Sequence, residues 1–348
     1  MPHHAIKVIL CTEQDQALWQ RYVQRSPSAT LGHQWQWRAI VSNTYGHQAF
    51  YLMAMQDEEV CGILPLIHVD HVLLGSSLTS MPFLDSGGIC ANDEQAIQAL
   101  LNHAKSLQAS LGVACVELRQ CNPIPALPIL PQDKVSMVLD LNSGEQALWA
   151  ALPAKVRNQV RKAEKSGLTI HTGGAELIGE FYDVFAVNMR DLGSPVHSRA
   201  LFDCMTDYFG KALQLSIVRD QSRTVGGLVS LFFKDTMIVP WASCLREYFP
   251  KCPNNLLYWH AIQTGCARRF QTFDFGRSSV GSGTYEFKRQ WGARPTQLAW
   301  QVLDKDHARG SALSSGDAKF RAVVEVWKRL PVQVTKIAGP HIRKYLTN

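Results

Sequence analysis

The order of apolar periods along this chain predicts an α/β (α+β) protein made of two similar domains, each a mixed, mostly antiparallel sheet flanked by helices. Three observations carry that reading. Helices, a three-strand meander, a further helix and a closing strand follow one another twice, about 160 residues apart, too long a period for a solenoid. The 348 residues suffice for two cores of ordinary size. A composition of 46% hydrophobic and 18% charged residues belongs to globular proteins.

In the first copy Leu18, Trp19, Tyr22 and Val23 recur at helical spacing within residues 12–25, and Gln34 to Ile40 suggests a second helix. The period then shortens to two. Phe50 to Met55 reads as a strand, Asp57-Glu58-Glu59 as a turn, Val60 to Val69 as a second strand and Val72 to Leu78 as a third. Beyond Pro82-Phe83-Leu84-Asp85-Ser86-Gly87-Gly88, a helix at about 94–110 places Ala96, Leu100, Ala104 and Leu107 on one face. Val113 to Leu118 closes the copy at Arg119. A polar, proline-rich passage from Asn122 to Asp133 follows, and Val135 to Leu141 is expected to cross between the domains as a strand.

The second copy repeats this order. Helices are expected at Lys155 to Lys165, Ile178 to Leu192 and about 199–210, and strands at Leu213 to Arg219, Val225 to Phe233 and Met237 to Ser243. Asn254 or Asn255 is expected to cap a helix at about 256–269, and Phe273 to Phe275 reads as the closing strand. The expected domains are 1–145 and 146–305, followed by a linker and basic helical tail over 306–348. Phe320, Val323, Val324 and Trp327 give that tail an apolar stripe, for docking back on the protein or for a peripheral membrane contact.

Met1 to Lys7 lacks the apolar run of a signal peptide and no stretch of about 18 apolar residues occurs, so a cytoplasmic location is expected. Nine scattered cysteines without a CxxC pair suggest neither zinc nor a disulfide framework. The net charge of +6 suits an anionic partner without demanding nucleic acid.

Candidate chemistry concentrates at Phe273-Asp274-Phe275-Gly276-Arg277 and the segment that follows. Gly276, Gly281 and Gly283 can take positive φ and bring backbone N–H groups close to a ligand. Arg277, Tyr285, Lys288, Arg289 and Trp291 then supply charge and aromatic surface together, and Lys288 is placed to stabilise a carbonyl under attack. Phe287 and Trp291, four apart, read as core. Over 155–165 five cations accompany one acid, and Arg157, Arg161 and Lys165 share a face. That face is either a solvated surface or a grip for a diphosphate, which arginine holds bidentately. Asp85 is either a general base for an attacking amine or a turn and cap residue. Arg190 and Asp191 end a helix capped by Gly193, and Arg190 either contacts substrate or pairs with a neighbour. His197 is an acid–base candidate or a structural histidine, and Trp241 reads as core sooner than contact. A Gly-rich pyrophosphate loop of the R-x-x-G-x-G/A kind is absent before the helix at 256, which disfavours a standard acyl-CoA site.

The run FDFGRSSVGSGTYEFKRQWG resembles the C-terminal signature of FemAB-like proteins in the Fem peptidyltransferase group, which share the GNAT acyltransferase fold. Residues 152–167 and Asn188-Met189-Arg190-Asp191-Leu192-Gly193-Ser194-Pro195 resemble the same group in the same order. The likeness is greatest to the branch found beside PEP-CTERM/exosortase and exopolysaccharide loci. It implies tandem GNAT-like domains and an acyltransferase acting on an amine or hydroxyl of a cell-envelope glycan or its nucleotide- or lipid-linked precursor. Lys288 then matches the lysine of the family's FK motif, Asp85 lies near a loop carboxylate considered as the base, and Arg157, Arg161 and Arg277 are expected to bind anionic parts of the substrates. No tightly bound cofactor is implied. The donor is left open between acyl-CoA and aminoacyl-tRNA, and a peptidoglycan-bridge peptidyltransferase or a non-catalytic partner in polysaccharide assembly are the other classes. Direct transfer is expected, since no activated nucleophile is visible.

Overall fold

The computed structural model describes residues 5–71, 75–125, 127–303 and 318–347. The first run of elements is β1 (Lys7–Leu10), α1 (Gln16–Arg25), α2 (Gln36–Tyr45), β2 (Gln48–Gln56), β3 (Glu59–His71), β4 (Gly75–Thr79), β5 (Cys90–Ala91), α3 (Glu94–Leu111) and β6 (Cys115–Gln120). The second is β7 (Lys134–Asp140), α4 (Gly144–Ala151), α5 (Ala154–Lys165), β8 (Leu168–Gly173), α6 (Ile178–Leu192), α7 (Arg199–Phe209), β9 (Leu213–Asp220), β10 (Arg223–Phe233), β11 (Thr236–Cys244), α8 (Pro253–Ala267) and β12 (Thr272–Ser279). It is followed by α9 (Gly283–Arg289), β13 (Arg294–Gln297), β14 (Ala299–Val302), α10 (Ala318–Arg329) and α11 (Val332–Arg343).

Of the described residues, those up to 132, with 297–303 and 344–347, form one compact unit, and 133–296 with 318–343 form a second. Each is built on a seven-stranded sheet. The first has the order β1-β2-β3-β4-β6-β14, with β5 against β3; the second runs β13-β7-β12-β11-β10-β9-β8. Both contain an antiparallel meander whose last strand is joined through one helix to a parallel neighbour: β4 to β6 through α3, and β11 to β12 through α8. The repeated order of apolar periods is therefore a repeated topology.

Two strands do not follow the order of the chain. Residues 134–140, expected to cross between domains, form the antiparallel neighbour of β12, from Thr272↔Asp140 to Ser279↔Lys134. Residues 299–302, placed by the sequence at the end of the second domain, pair with β6, from Ala299↔Gln120 to Val302↔Glu117. A parallel strand at the end of a meander leaves an edge of unpaired N–H and C=O groups, and these two strands cover those edges.

In the first unit Leu52, Leu64, Leu66, Leu100, Val116 and Leu118 fill the layer under α3. Trp19, Trp35 and Tyr51 meet under the other helices, with ring centroids 4.7 to 5.8 Å apart. In the second unit Val156 and Val160 of α5, Leu257 of α8 and Val239, Phe273 and Phe275 of the sheet pack together. The helix α8 starts earlier than expected because Pro253 occupies its first turn, where its missing N–H costs nothing. Neither asparagine is the cap; Asn255 donates to the Gln159 side chain at 3.3 Å. The helices α10 and α11 lie against α6 and the segment after it. Lys336 pairs with Asp183, and Gly339 is packed so closely on Val196 that a Cβ there would stand 2.9 Å from its nitrogen. The expected linker at 306–316 and the Phe320 side chain lie outside the described residues.

Candidate functional site

In the second unit β11 and β12 are paired over only three residues, Thr236↔Thr272, Met237↔Phe273 and Ile238↔Asp274, although β11 continues to Cys244 and β12 to Ser279. Both strands bulge where they part. Leu231↔Ile238 and Val229↔Trp241 leave Ser230 opposite both Val239 and Pro240. Proline cannot donate to a ladder, so a bulge is where a sheet tolerates it. On the other side, Asp274↔Val138 and Arg277↔Ser136 leave Met137 opposite Phe275 and Gly276. Phe275 therefore does not end the strand, as its sequence suggests; Gly276 is its bulge. With φ +72° and the Val239 carbonyl 3.3 Å from where a Cβ would lie, this position favours glycine.

Each bulge changes the face that the following side chains occupy. Val239, Phe273 and Phe275 point into the core with α8. Trp241 instead packs edge-on against His197 and Phe202, at centroid distances of 5.7 and 5.4 Å. Arg277 comes close enough to His197 to oppose its protonation. Two beyond Trp241, the Ser243 hydroxyl accepts from the Asn188 amide of α6 at 2.9 Å.

Backbone groups exposed by the parting are taken up by side chains. The Asp274 carboxylate accepts from Gly276 N–H at 2.8 Å and from the Ser136 hydroxyl at 2.7 Å. The Lys288 ammonium donates to the carbonyls of Gly276 and Arg277, both at 2.9 Å. Lys288 is 7% exposed and reaches this point from α9, whose start is fixed by Ser282 accepting from Tyr285 N–H at 3.2 Å. A buried ammonium thus stands at the apex of an opening lined by backbone.

His197 is fully enclosed. Burial first, then the charges of Arg343 and Arg277, hold its pKa well below the ordinary imidazole value. Arg343 Nε donates to its Nε2 at 3.0 Å, which puts the proton of the neutral ring on Nδ1, and Tyr182 donates to its carbonyl at 2.9 Å.

Lys288, Arg277 and Trp241 are thereby gathered around one opening, with Tyr285 on the helix that carries Lys288. The other candidates stand elsewhere. Arg190 is held by Asp191, through Nε at 2.9 Å and Nη2 at 2.7 Å. On α5, Arg157 donates to the Ala150 carbonyl at 2.9 Å and Arg161 lies 5.6 Å from the Trp149 ring, so both lean on α4. Asp85 belongs to the first unit, where its carbonyl accepts from Trp300 Nε1 at 3.0 Å. Phe287 lies tilted against Tyr258, with ring centroids 5.3 Å apart, and Trp291 is core. Sequence reasoning gave no role to Ser136, Asn188 or Arg343 as single residues. Asp274, polar between two phenylalanines, carried a readable signal; Ser136, paired from 138 residues away in sequence, carried none.

Among the described residues no cluster of three or more metal-ligating side chains occurs, and no helix is long and apolar enough to cross a membrane.

Residues 152–289 match the acetyltransferase (GNAT) domain family. Among solved structures, FemX shares the fold with a TM-score of 0.68 at 14% identity, over 85% of this chain and 97% of FemX. A tandem GNAT protein from the clavulanic acid biosynthesis pathway superposes with a TM-score of 0.54 at 10% identity, covering 85% and 97% of the two chains. The L-PGS of Bacillus licheniformis does so at 0.52 and 12% identity, covering 92% and 99%. No curated protein matches the sequence significantly. The chain has the tandem GNAT fold, and the match to the GNAT domain family falls within its second unit.

Proposed function

We propose, from a tandem GNAT fold with its GNAT domain in the second unit, that the protein is an acyltransferase whose donor enters between β11 and β12. It moves an acyl or aminoacyl group onto an amine or hydroxyl of a cell-envelope glycan, peptidoglycan or exopolysaccharide precursor, as the resemblance to the FemAB-like branch implies. The observation that carries this reading is the parting of two parallel strands at facing bulges, with the Lys288 ammonium buried at the apex. An acyl carbonyl entered there meets a fixed positive charge in a water-poor setting, where preorganised charge stabilises the oxyanion of a tetrahedral intermediate strongly. Two of the ammonium's donors hold the loop carbonyls, so Lys288 shapes the opening and charges it at once. Arg277 and Tyr285 bind donor or acceptor at its mouth. Trp241 forms its wall, and Arg157 and Arg161 serve anionic parts of the substrates farther out. Asp85, in the first unit, is kept as a candidate base on the resemblance alone.

An aminoacyl-tRNA donor is favoured over acyl-CoA by the entry to α8. The preceding turn, Arg246–Lys251, has no glycine, and Pro253 removes one N–H from the first helical turn, where a pyrophosphate would need it. Such transfer is RNA-dependent and weakens steeply with salt. Native mass spectrometry after incubation with acyl-CoA, aminoacyl-tRNA and nucleotide-sugar pools tests the whole reading. Retention of one donor class by the wild type, and its loss in Lys288→Ala, is expected. If a glycan or protein is held and no donor is, the protein is a non-catalytic partner in polysaccharide assembly.

A further inference from the structure

The first unit has a cavity that the transfer chemistry does not use. It measures about 310 Å³, at the lower end of the roughly 300–1,000 Å³ of small-ligand sites. One wall is α1, where Gln20, Gln24 and Arg21 share the side of the helix turned away from the buried Tyr22. The other is Gln34-Trp35-Gln36, the segment that enters α2. Trp35 is packed into the core against Trp19 and Tyr51, with ring centroids 5.8 and 5.4 Å apart, and the glutamines on either side of it are left to line the cavity. Four carboxamides and one guanidinium therefore converge on one space. Among the described residues, the side chains of Gln20, Arg21, Gln24 and Gln34 have no hydrogen-bond or ion-pair partner. Gln36 Oε1 is cut off from solvent and has none either. A buried acceptor without a donor costs free energy, which a donor brought by a ligand recovers.

The lining selects the chemistry of the ligand. It holds no carboxylate, thiol or imidazole, so it is built to bind and not to catalyse. A polyphosphate calls for more than the single cation present, and an apolar ligand would strand the amides. Each carboxamide sets a donor beside an acceptor, a pattern met by neighbouring hydroxyls, which both donate and accept. A ligand with a polar group on nearly every atom is what matches so many amides in so small a space. We propose that this cavity is a carbohydrate subsite that prefers an acidic sugar, with the sugar hydroxyls on the glutamines and its carboxylate on Arg21. The site belongs to the first unit and stands independently of the acyl-transfer reading.

The test is saturation-transfer difference NMR on the full chain, titrated with glucose, glucuronate and diglycine up to about 10 mM, well above a millimolar Kd. Binding of both sugars, tighter for glucuronate, and none of diglycine is expected. Gln20→Ala/Gln24→Ala keeps a good helix former at two positions outside the core and should weaken both sugars roughly fivefold or more. Arg21→Met should remove the preference for glucuronate and leave glucose as it was. Gln36→Met should weaken both sugars with the melting temperature unchanged or raised, because it removes an oxygen that the fold leaves unsatisfied; a merely structural glutamine would lower it. Lys288→Met, in the second unit, should bind both sugars as the wild type does, so failure here and failure of the acyl-transfer reading are told apart. Binding of neither sugar, equal binding of the two, full binding in Gln20→Ala/Gln24→Ala or in Gln36→Met, or loss in Lys288→Met overturns the inference. So does tighter binding of diglycine, which assigns the cavity to a peptide.

Discussion

The same junction is handled in opposite ways in the two units. Each has a parallel strand pair that ends where the sheet has to open, and each leaves backbone groups there to be satisfied. In the first, β4 and β6 pair through Thr79↔Glu117, and the chain closes the gap with its own backbone. Ser80 N–H donates to Glu117 O at 2.8 Å, and the N–H groups of Gly87 and Gly88 both donate to Arg119 O, at 3.1 and 3.0 Å. Arg119 is fully buried. Its guanidinium donates to Leu84 O, Thr347 O and the Glu117 carboxylate and lies 4.1 Å from the Trp300 ring centroid. In the second unit the strands splay, and a side chain from α9 does what the loop does in the first. The difference teaches that the topology supplies an opening and local residues decide whether it stays open. A backbone plug fills the first junction, and a single ammonium braces the second.

The largest effect is expected at Arg119. Arg119→Met strands the part-buried Glu117 carboxylate and two carbonyls, and should destabilise the first unit by about 3 kcal/mol. Denaturant unfolding with hydrogen exchange at β6 reads the loss. A cost near zero would mean that the plug is held by its backbone bonds. Next in size is Lys288→Met, which keeps the length of the side chain and removes the donors to Gly276 O and Arg277 O. About 2–3 kcal/mol of stability should go, together with retention of any acyl donor. Should donor binding and turnover survive in a folded Lys288→Met protein, the ammonium is a brace alone. Gly276→Ala tests the opening itself: a left-handed backbone and a close Val239 carbonyl should cost about 1–2 kcal/mol, read as a lower denaturant midpoint.

Acid sharpens the comparison by the smallest amount. The fold lowers the pKa of His197 in the second unit and, mainly through burial, that of His47 in the first. Each folded imidazole is thus neutral over a range where the unfolded chain's is protonated. The stability each contributes is complete above the ordinary value of 6.5 and is lost as pH falls through it towards the folded pKa. The melting temperature should therefore decline between pH 7 and 5, and His197→Gln, which keeps an acceptor for Arg343, should flatten the decline without abolishing it. An unchanged slope would show that His197 takes up its proton equally in the folded and the unfolded chain, so that the fold does not lower its pKa.

Much of this was legible in the chain. Helix positions followed from apolar periods, as at α6, where Gly193 takes the left-handed cap that its place before Ser194-Pro195 announces. Asp274 between Phe273 and Phe275 marked the closing strand, and the lysine after Phe287 is a candidate by resemblance alone. Other features left no local trace. Arg190 has the charge of a ligand-binding residue and spends it on Asp191; nothing in the sequence distinguishes those uses. The bulge at Val239–Pro240 puts Trp241 on the face opposite to the one strict alternation would give it.

The sequence by itself determined the two copies, the meander in each and the helix that leads to each parallel strand, because periods of 2 and 3.6 are local and survive without tertiary context. Tertiary structure decided which strands cover the open edges, which of two equivalent junctions is plugged, and where the Lys288 charge is set down. Those outcomes depend on satisfying particular backbone groups across long sequence separations, and no local period records them.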